Sequence, residues 1–315
     1  MRKAILSALF FSVLTPSTGL AASTVLPEPR VPVANPFASV HDLLACTRST
    51  GTLVSAHRGG AAPGFPENAL ESAAQTLTTF PALLEVDVRQ SRDGVLVLMH
   101  DATLERTTTG TGPVSAQNWS TLRTLRLKDN DGNETAFRIP QLRDMAAWAK
   151  GRGLVLAEVK VSETLPRIVK EIREVGAQAN FMLLINSLDD AKRLQALDSE
   201  ISMSLEIPDA EALQRVKDAG IDMRRVVPWT GIGKRDRAFW RALHAEGHTV
   251  SYGTLWYVDG AIENLDLKGI YAELAADGVD LLATDRASAA YTEIAPVRSI
   301  ETALRQCKAV RTTVR

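Results

Sequence analysis

From residue 53 onward the chain alternates short apolar runs with longer stretches in which apolar positions recur every three or four residues. The first pattern predicts buried strands and the second amphipathic helices. The runs at 53–56, 83–88, 154–159, 181–185, 202–205, 225–227, 249–251 and 280–283 read as eight strands. Helices are expected between and after them, at 69–79, 142–151, 165–175, 188–197, 210–219, 238–246, 261–276 and 297–310. Eight strands, each followed by a helix, is the count of a closed α/β barrel of the TIM (β/α)8 type in a single domain. An open doubly wound sheet is the competing arrangement. It would place a Gly-x-Gly-x-x-Gly turn after its first strand, and "AHRGGAAPG" lacks that spacing.

The residues before the barrel divide in two. Arg2 and Lys3 precede an apolar run from Ala4 to Leu14, and small residues follow at Gly19, Ala21 and Ala22. This is the layout of a secretory signal peptide over 1–21, with cleavage expected after Ala21 and a periplasmic or secreted mature protein. The run falls short of the roughly 20 apolar residues that span a bilayer, so no transmembrane segment is expected in the mature chain. A Pro-rich stretch and a short amphipathic run make residues 22–50 a covering segment. The barrel is expected over 51–290, with 291–315 as a C-terminal helix closing it. No internal repeat beyond the βα alternation is visible.

Composition narrows the class. The 315 residues are 45% hydrophobic and 23% charged, enough for one large core. The net charge is -1, and loss of Arg2 and Lys3 takes it to -3. Near neutrality leaves no electrostatic footprint for nucleic acid, so a small soluble molecule is the expected partner. Of the two cysteines, Cys46 precedes the first strand and Cys307 lies in the last helix. In an exported chain they are expected to pair at the bottom of the barrel, far from its mouth.

The chemistry of a barrel sits where its strands end. The first strand runs into His57 and Arg58. In the second, side chains alternate, so Leu84, Val86 and Val88 face the helices while Glu85 and Asp87 face inward with Arg89. The third strand ends in Glu158 and Lys160. Three converging carboxylates without a thiol suit a hard divalent cation, calcium or magnesium. Asp93-Gly94 is a two-residue hairpin signal, and that turn pairs Arg92 with Val95 and Asp87 with His100. Asn68 followed by Glu71 approximates a capping box for the first helix, with Glu67 held at the mouth. His41, His244 and His248 lie away from the strand ends and read as structural or exposed.

Taken together, "HRGG…PENALES", "LEVDVRQSRDGVLVLMHDATLERTTTGTGPV", "IPQLRDM", "LAEVK" and "GVDLLATDR" resemble the glycerophosphodiester phosphodiesterase family over most of residues 53–286. The resemblance implies a metal-dependent phosphoric diester hydrolase that releases glycerol 3-phosphate and an alcohol. Carried onto this chain, it implies that Glu85, Asp87 and Glu158 hold the cation and that His57 and His100 are catalytic acid and base. It further implies that Arg58 and Lys160 contact the substrate phosphate and that Glu67 supports the site.

Two departures bear on the substrate. Many family members carry Trp-Thr-Val-Asn near the seventh strand, where this chain reads "VSYGTLWYVDG", and the Pro usual after "TDR" is Ala287. Trp229 and Tyr252 are candidates for the pocket wall or for the core. The stretch 102–140 reads as a modest excursion that leaves the site open. The alternative readings are a phospholipase D-like or lysophospholipid-cleaving phosphodiesterase on the same barrel and a non-catalytic periplasmic binding protein. Two histidines in acid and base positions argue against the latter, since binding alone needs neither.

Overall fold

The computed structural model describes residue 26 and residues 39–313, so the expected leader lies outside the described residues. Eleven strands form: β1 (Leu53–Ala56), β2 (Ala82–Gln90), β3 (Leu96–Leu98), β4 (Arg126–Lys128), β5 (Glu134–Arg138), β6 (Leu154–Val159), β7 (Phe181–Ile185), β8 (Ser202–Glu206), β9 (Val226–Ile232), β10 (Ser251–Gly253) and β11 (Leu281–Thr284). Eight of them, β1, β2 and β6 to β11, pair in parallel in sequence order, and β1 closes the ring by pairing with both β11 and β2. The fold is therefore the expected (β/α)8 barrel.

Strand alternation sorts the core. Outward side chains such as Val54, Leu84, Val86, Val155, Ala157 and Leu183 pack under the helices. Inward side chains form an apolar plug at the barrel bottom, from Leu53, Leu83, Leu154, Met182, Val227 and Leu281. Toward the mouth the inward positions turn polar. Parallel pairing sets Leu83 beside Leu154 and, four residues on, Asp87 beside Glu158.

The helices are α1 (Val40–Thr47), α2 (Leu70–Thr79), α3 (Trp119–Leu122), α4 (Leu142–Ala149), α5 (Leu165–Val175), α6 (Leu188–Leu197), α7 (Ala210–Asp218), α8 (Arg237–Ala245), α9 (Tyr257–Asn264), α10 (Ile270–Ala276), α11 (Ala287–Ile294) and α12 (Ile300–Thr313). Two expectations fail here. The single helix over 261–276 is two helices, broken where Asp266 (φ 48°) and Gly269 (φ 80°) leave helical geometry. The second is an omission: α11, which follows β11, was not expected because its small, polar start gives little periodic signal, whereas the helix expected at 297–310 is present as α12.

α1 and α12 lie on the bottom plug, where Val40, Leu43, Leu44, Ile300 and Leu304 join its apolar cluster. Cys46 and Cys307 form a disulfide there, with Cα atoms 6.0 Å apart. No helix among the described residues is long and apolar enough to cross a membrane.

The excursion over 102–140 is more than a linker. The antiparallel pair β4–β5 and the short α3 belong to it, and Leu104, Val114, Leu122, Leu127 and Ile139 pack on Ala69, Val97 and Met99 as a separate small core.

Candidate active site

At the mouth lies a cavity of about 290 Å³ whose polar lining is His57, Glu85, His100, Glu158 and Lys160 together with Ser55 and Ser204. Glu85, Asp87 and Glu158 each present an oxygen within 4.8 Å of the others. β2 and β6 deliver them because the inward positions of the two strands stand side by side. Asp87 Oδ1 is buried and lies 2.8 Å from Lys160 Nζ as an ion pair, yet it has no aligned hydrogen-bond donor. Lys160 also reaches Glu158, at 2.6 Å.

The charges of this cluster do not balance. Burial, and then repulsion from Asp87, push the Glu85 carboxyl up to about 8. Burial works in the same direction on Asp87, but the Lys160 charge and the hydrogen bond from Asn68 outweigh it and hold Asp87 below its usual value. One ammonium thus faces three carboxylates, one of them unstable as an anion at neutral pH. An all-oxygen set with an unaligned buried oxygen and a deficit of positive charge fits a hard divalent cation.

Each histidine is held by a carboxylate. His57 Nδ1 is 2.5 Å from Asp285 Oδ1, and its Nε2 faces Glu85 Oε2 at 3.9 Å. Burial lowers the His57 imidazole, but the hydrogen bond with Asp285 and the charges of Glu85 and Asp285 raise it further, to a net value above the ordinary one. His100 Nδ1 is 2.7 Å from Asp101 Oδ1. In both cases the carboxylate engages Nδ1, leaving Nε2 for chemistry. Hydrogen bonds from Arg106 hold the Asp101 carboxyl far below the usual range.

Arg58 and Glu67 stand together beside the cavity. The Arg58 backbone N–H donates to Glu85 Oε2 at 2.8 Å, and its Nη1 donates to Glu67 Oε2 at 2.8 Å, while its Nε is buried without a hydrogen-bond partner. Glu67 also accepts two bonds from Arg106, at 2.8 and 2.9 Å. Arg106, from the excursion, therefore ties Glu67 to Asp101 and so to His100.

Two local expectations are corrected. The hairpin turn has three residues, Arg92 to Gly94, with Ser91 N bonded to Val95 O and Gly94 in the left-handed region at φ 85°. Arg89 consequently pairs with Val97, and Asp87 O accepts from Met99 N and not from His100. His100 reaches the cavity because the chain leaves the ladder after Leu98, and Arg89 Nε donates to the His100 carbonyl at 2.8 Å. Asn68 does not cap α2, the helix that follows it, whose N-cap is Ala69. It stands at φ 58° and clamps Asp87, its Nδ2 donating to Oδ2 and its Oδ1 accepting from the Asp87 N–H, both at 2.8 Å.

Asp285, Asp101, Asn68 and Arg106 were not singled out from the sequence as site residues. Asp285 sits in "LLATDR" just past the last strand, the place where a barrel keeps its polar groups, so position was the available signal. Trp229 lines the cavity. Tyr252 points the other way and packs edge-on to Trp240 at 5.1 Å. His244 is bonded to Asp280 at 2.8 Å, away from the mouth.

Residues 57–203 match the model of the glycerophosphoryl diester phosphodiesterase family. Glycerophosphodiester phosphodiesterase 1 of Bos taurus is 36% identical over 107 residues, which are 32% of this chain and 31% of that protein. The match thus spans about a third of the relative's length. A glycerophosphodiester phosphodiesterase of Caldanaerobacter subterraneus is 29% identical over 45% of this chain and 63% of its own. Among solved structures, a glycerophosphoryl diester phosphodiesterase from Parabacteroides distasonis superposes with a TM-score of 0.76 at 29% identity, covering 82% of this chain and 93% of that one. An Oleispira antarctica phosphodiesterase, solved with sn-glycerol-3-phosphate as product, shares the fold at TM-score 0.56 and 20% identity, over 82% of this chain and 99% of its own.

Proposed function

The chain belongs to the glycerophosphoryl diester phosphodiesterase family, and from that premise we propose that it hydrolyses glycerophosphodiesters to glycerol 3-phosphate and an alcohol. The observation that carries this reading is the pair of carboxylate-held histidines lining one cavity with the Glu85, Asp87 and Glu158 cluster. Product-bound glycerol 3-phosphate in the Oleispira antarctica relative supports the substrate class.

In this reading Glu85, Asp87 and Glu158 hold a divalent cation, Ca2+ or Mg2+. When bound, such an ion supplies positive charge to phosphoryl oxygens that gain charge in the transition state. Lys160 adds a second positive charge to the phosphate, and Arg58 contributes from beside Glu67. His57 and His100 divide the proton transfers: one Nε2 takes the proton of the attacking hydroxyl while the other protonates the departing alcohol. The hydroxyl nearest to hand is the substrate's own, on the carbon next to the ester carbon, and an internal nucleophile has an effective concentration that water lacks. A cyclic 1,2-phosphate forms, and water opens it with the histidines in exchanged roles.

The basic-then-apolar leader and the oxidised Cys46–Cys307 pair support export to an oxidising compartment. The direct test is release of glycerol 3-phosphate from glycerophosphocholine by the purified protein, with and without chelator. Release that stops on chelation and returns with Mg2+ or Ca2+ is expected; no release under any metal condition overturns the assignment.

A further inference from the structure

Hydrogen bonds tie the segment between β10 and α9 to the end of β11. The Thr254 N–H donates to the Ala283 carbonyl at 2.9 Å, and the Trp256 N–H donates to Asp285 Oδ2 at 2.8 Å. Asp259, in the first turn of α9, completes the attachment. Its Oδ2 accepts the Asp285 backbone N–H at 2.7 Å and the Thr284 hydroxyl at 2.8 Å. Asp285, which holds His57, is thus gripped at its backbone and at one carboxylate oxygen by a single short segment.

Asp259 is 2% exposed, and its Oδ1 accepts the hydroxyl of Tyr271, a fully buried residue of α10, at 2.8 Å. All three of these donors are neutral. Burying a carboxylate costs free energy that neutral donors only partly offset, and an apolar side chain would fill the same space without that cost. What only the carboxylate supplies is the set of bonds it accepts, and two of the three fix the end of β11.

Trp256 sits at φ 55°, ψ -110°, backbone geometry that costs a residue with a side chain and persists where its surroundings hold it. Here they do. The Asp259 N–H donates to the Thr254 carbonyl at 2.7 Å and closes the turn around Trp256, whose own N–H then meets Asp285. With its backbone and Oδ2 held, Asp285 presents Oδ1 to His57 Nδ1 at 2.5 Å.

We propose that Asp259 is a positioning residue for the reaction: it lines no part of the cavity, and it sets His57 through Asp285. This role rests on the phosphodiesterase reading above. Misplacing a reacting group by about 1 Å costs on the order of 100-fold in rate, so a loosened Asp285 should be felt in turnover. His100 has a separate anchor, Asp101 held by Arg106, and serves as the internal control.

The test uses the metal-loaded protein with glycerophosphocholine as substrate. Asp259→Ala is expected to lower kcat of the folded protein at least about 10-fold with KM within about twofold, since the ring loses its aim and the phosphate site is untouched. Asp259→Asn, whose amide oxygen accepts both bonds from the end of β11, should restore kcat to within about threefold of wild type. In an Asp285→Ala background the same Asp259→Ala change should cost less than about twofold, because nothing is left to transmit it. Should Asp259→Ala fail to fold, Asp259→Ser, which leaves a hydroxyl and room for water, carries the same expectations. A second readout needs no substrate. The His57 Nδ1–H proton resonance, identified by its loss in His57→Gln, should shift or vanish in Asp259→Ala while that of His100 stays in place. An unchanged kcat, a loss undiminished in the Asp285→Ala background, or an unmoved His57 resonance overturns the role. Failure of the phosphodiesterase reading shows separately, as wild-type protein that releases no glycerol 3-phosphate; the resonance then still decides whether Asp259 sets His57.

Discussion

Asp285 and His57 meet at 2.5 Å, across the seam where the last barrel strand pairs with the first. The carboxylate accepts the Trp256 N–H on its other oxygen, so it is fixed before it orients the imidazole. Asp285→Asn keeps the size but reverses the hydrogen-bond preference toward Nδ1. It is expected to lower kcat on the order of 100-fold with little change in KM, because the ring loses its tautomer and not its place. Steady-state kinetics on the pair Asp285→Asn and Asp101→Asn check this; an unchanged kcat in both removes the orienting role.

The cation should be visible in the pH dependence of stability. Glu85 has its folded pKa raised to about 8 in the absence of a cation, so the stability that its neutral form contributes is full below the unfolded value near 4.5. That contribution is lost as pH rises through about 8. The chelated protein should therefore lose melting temperature across this window, and Mg2+ or Ca2+ should restore it most at the alkaline end. Thermal melts from pH 4 to 9 with and without chelator measure the difference. Glu85→Gln should flatten the chelated profile and abolish the metal response.

Asn68 offers a second handle on the same ion. Its two bonds orient Asp87 from 19 residues away in sequence. Partners that orient a metal ligand are worth about 10- to 100-fold in metal affinity, so Asn68→Ala should weaken cation binding by that order. Calorimetric titration of the apo-protein reads it directly.

The cyclic route is separable from direct attack by water. An analogue of glycerophosphocholine lacking the 2-hydroxyl should bind and not turn over. Brisk hydrolysis of it would remove the cyclic intermediate and leave the histidine assignments in place.

How much of this was readable beforehand follows from the range of each interaction. The eight barrel strands and the inward carboxylates were legible because strand alternation is written in adjacent residues, and strand ends carry the chemistry of a barrel. The hairpin register was misread because Asp93-Gly94 is compatible with a two- or a three-residue turn, and one residue changes every pair beyond it. Asn68 looked like a cap because Glu71 stands at the right interval; its real partner arrives with β2. The bond between Asp285 and His57 joins residues 228 apart and leaves no local trace. The same holds for Arg106, which reaches Glu67 across 39 residues from what the sequence presents as a loop.

Reduction of Cys46–Cys307 should lower the melting temperature and leave the turnover of folded protein intact, since the bond lies on the bottom plug. The enclosed loop is long, with a sequence separation of 261, and the chain-entropy account gives an upper figure of about 5 kcal/mol. Melts and assays with and without a thiol reductant test both halves of the statement.

That bond also makes the barrel a covalent ring. Every strand and every mouth loop lies between Cys46 and Cys307, so a single proteolytic cut at the rim would leave the two fragments joined. They could not diffuse apart, and the nicked barrel would re-form as an intramolecular event. Against any protease that reaches the mouth, the disulfide thus protects the rim loops from the consequence of being cut, although it touches none of them.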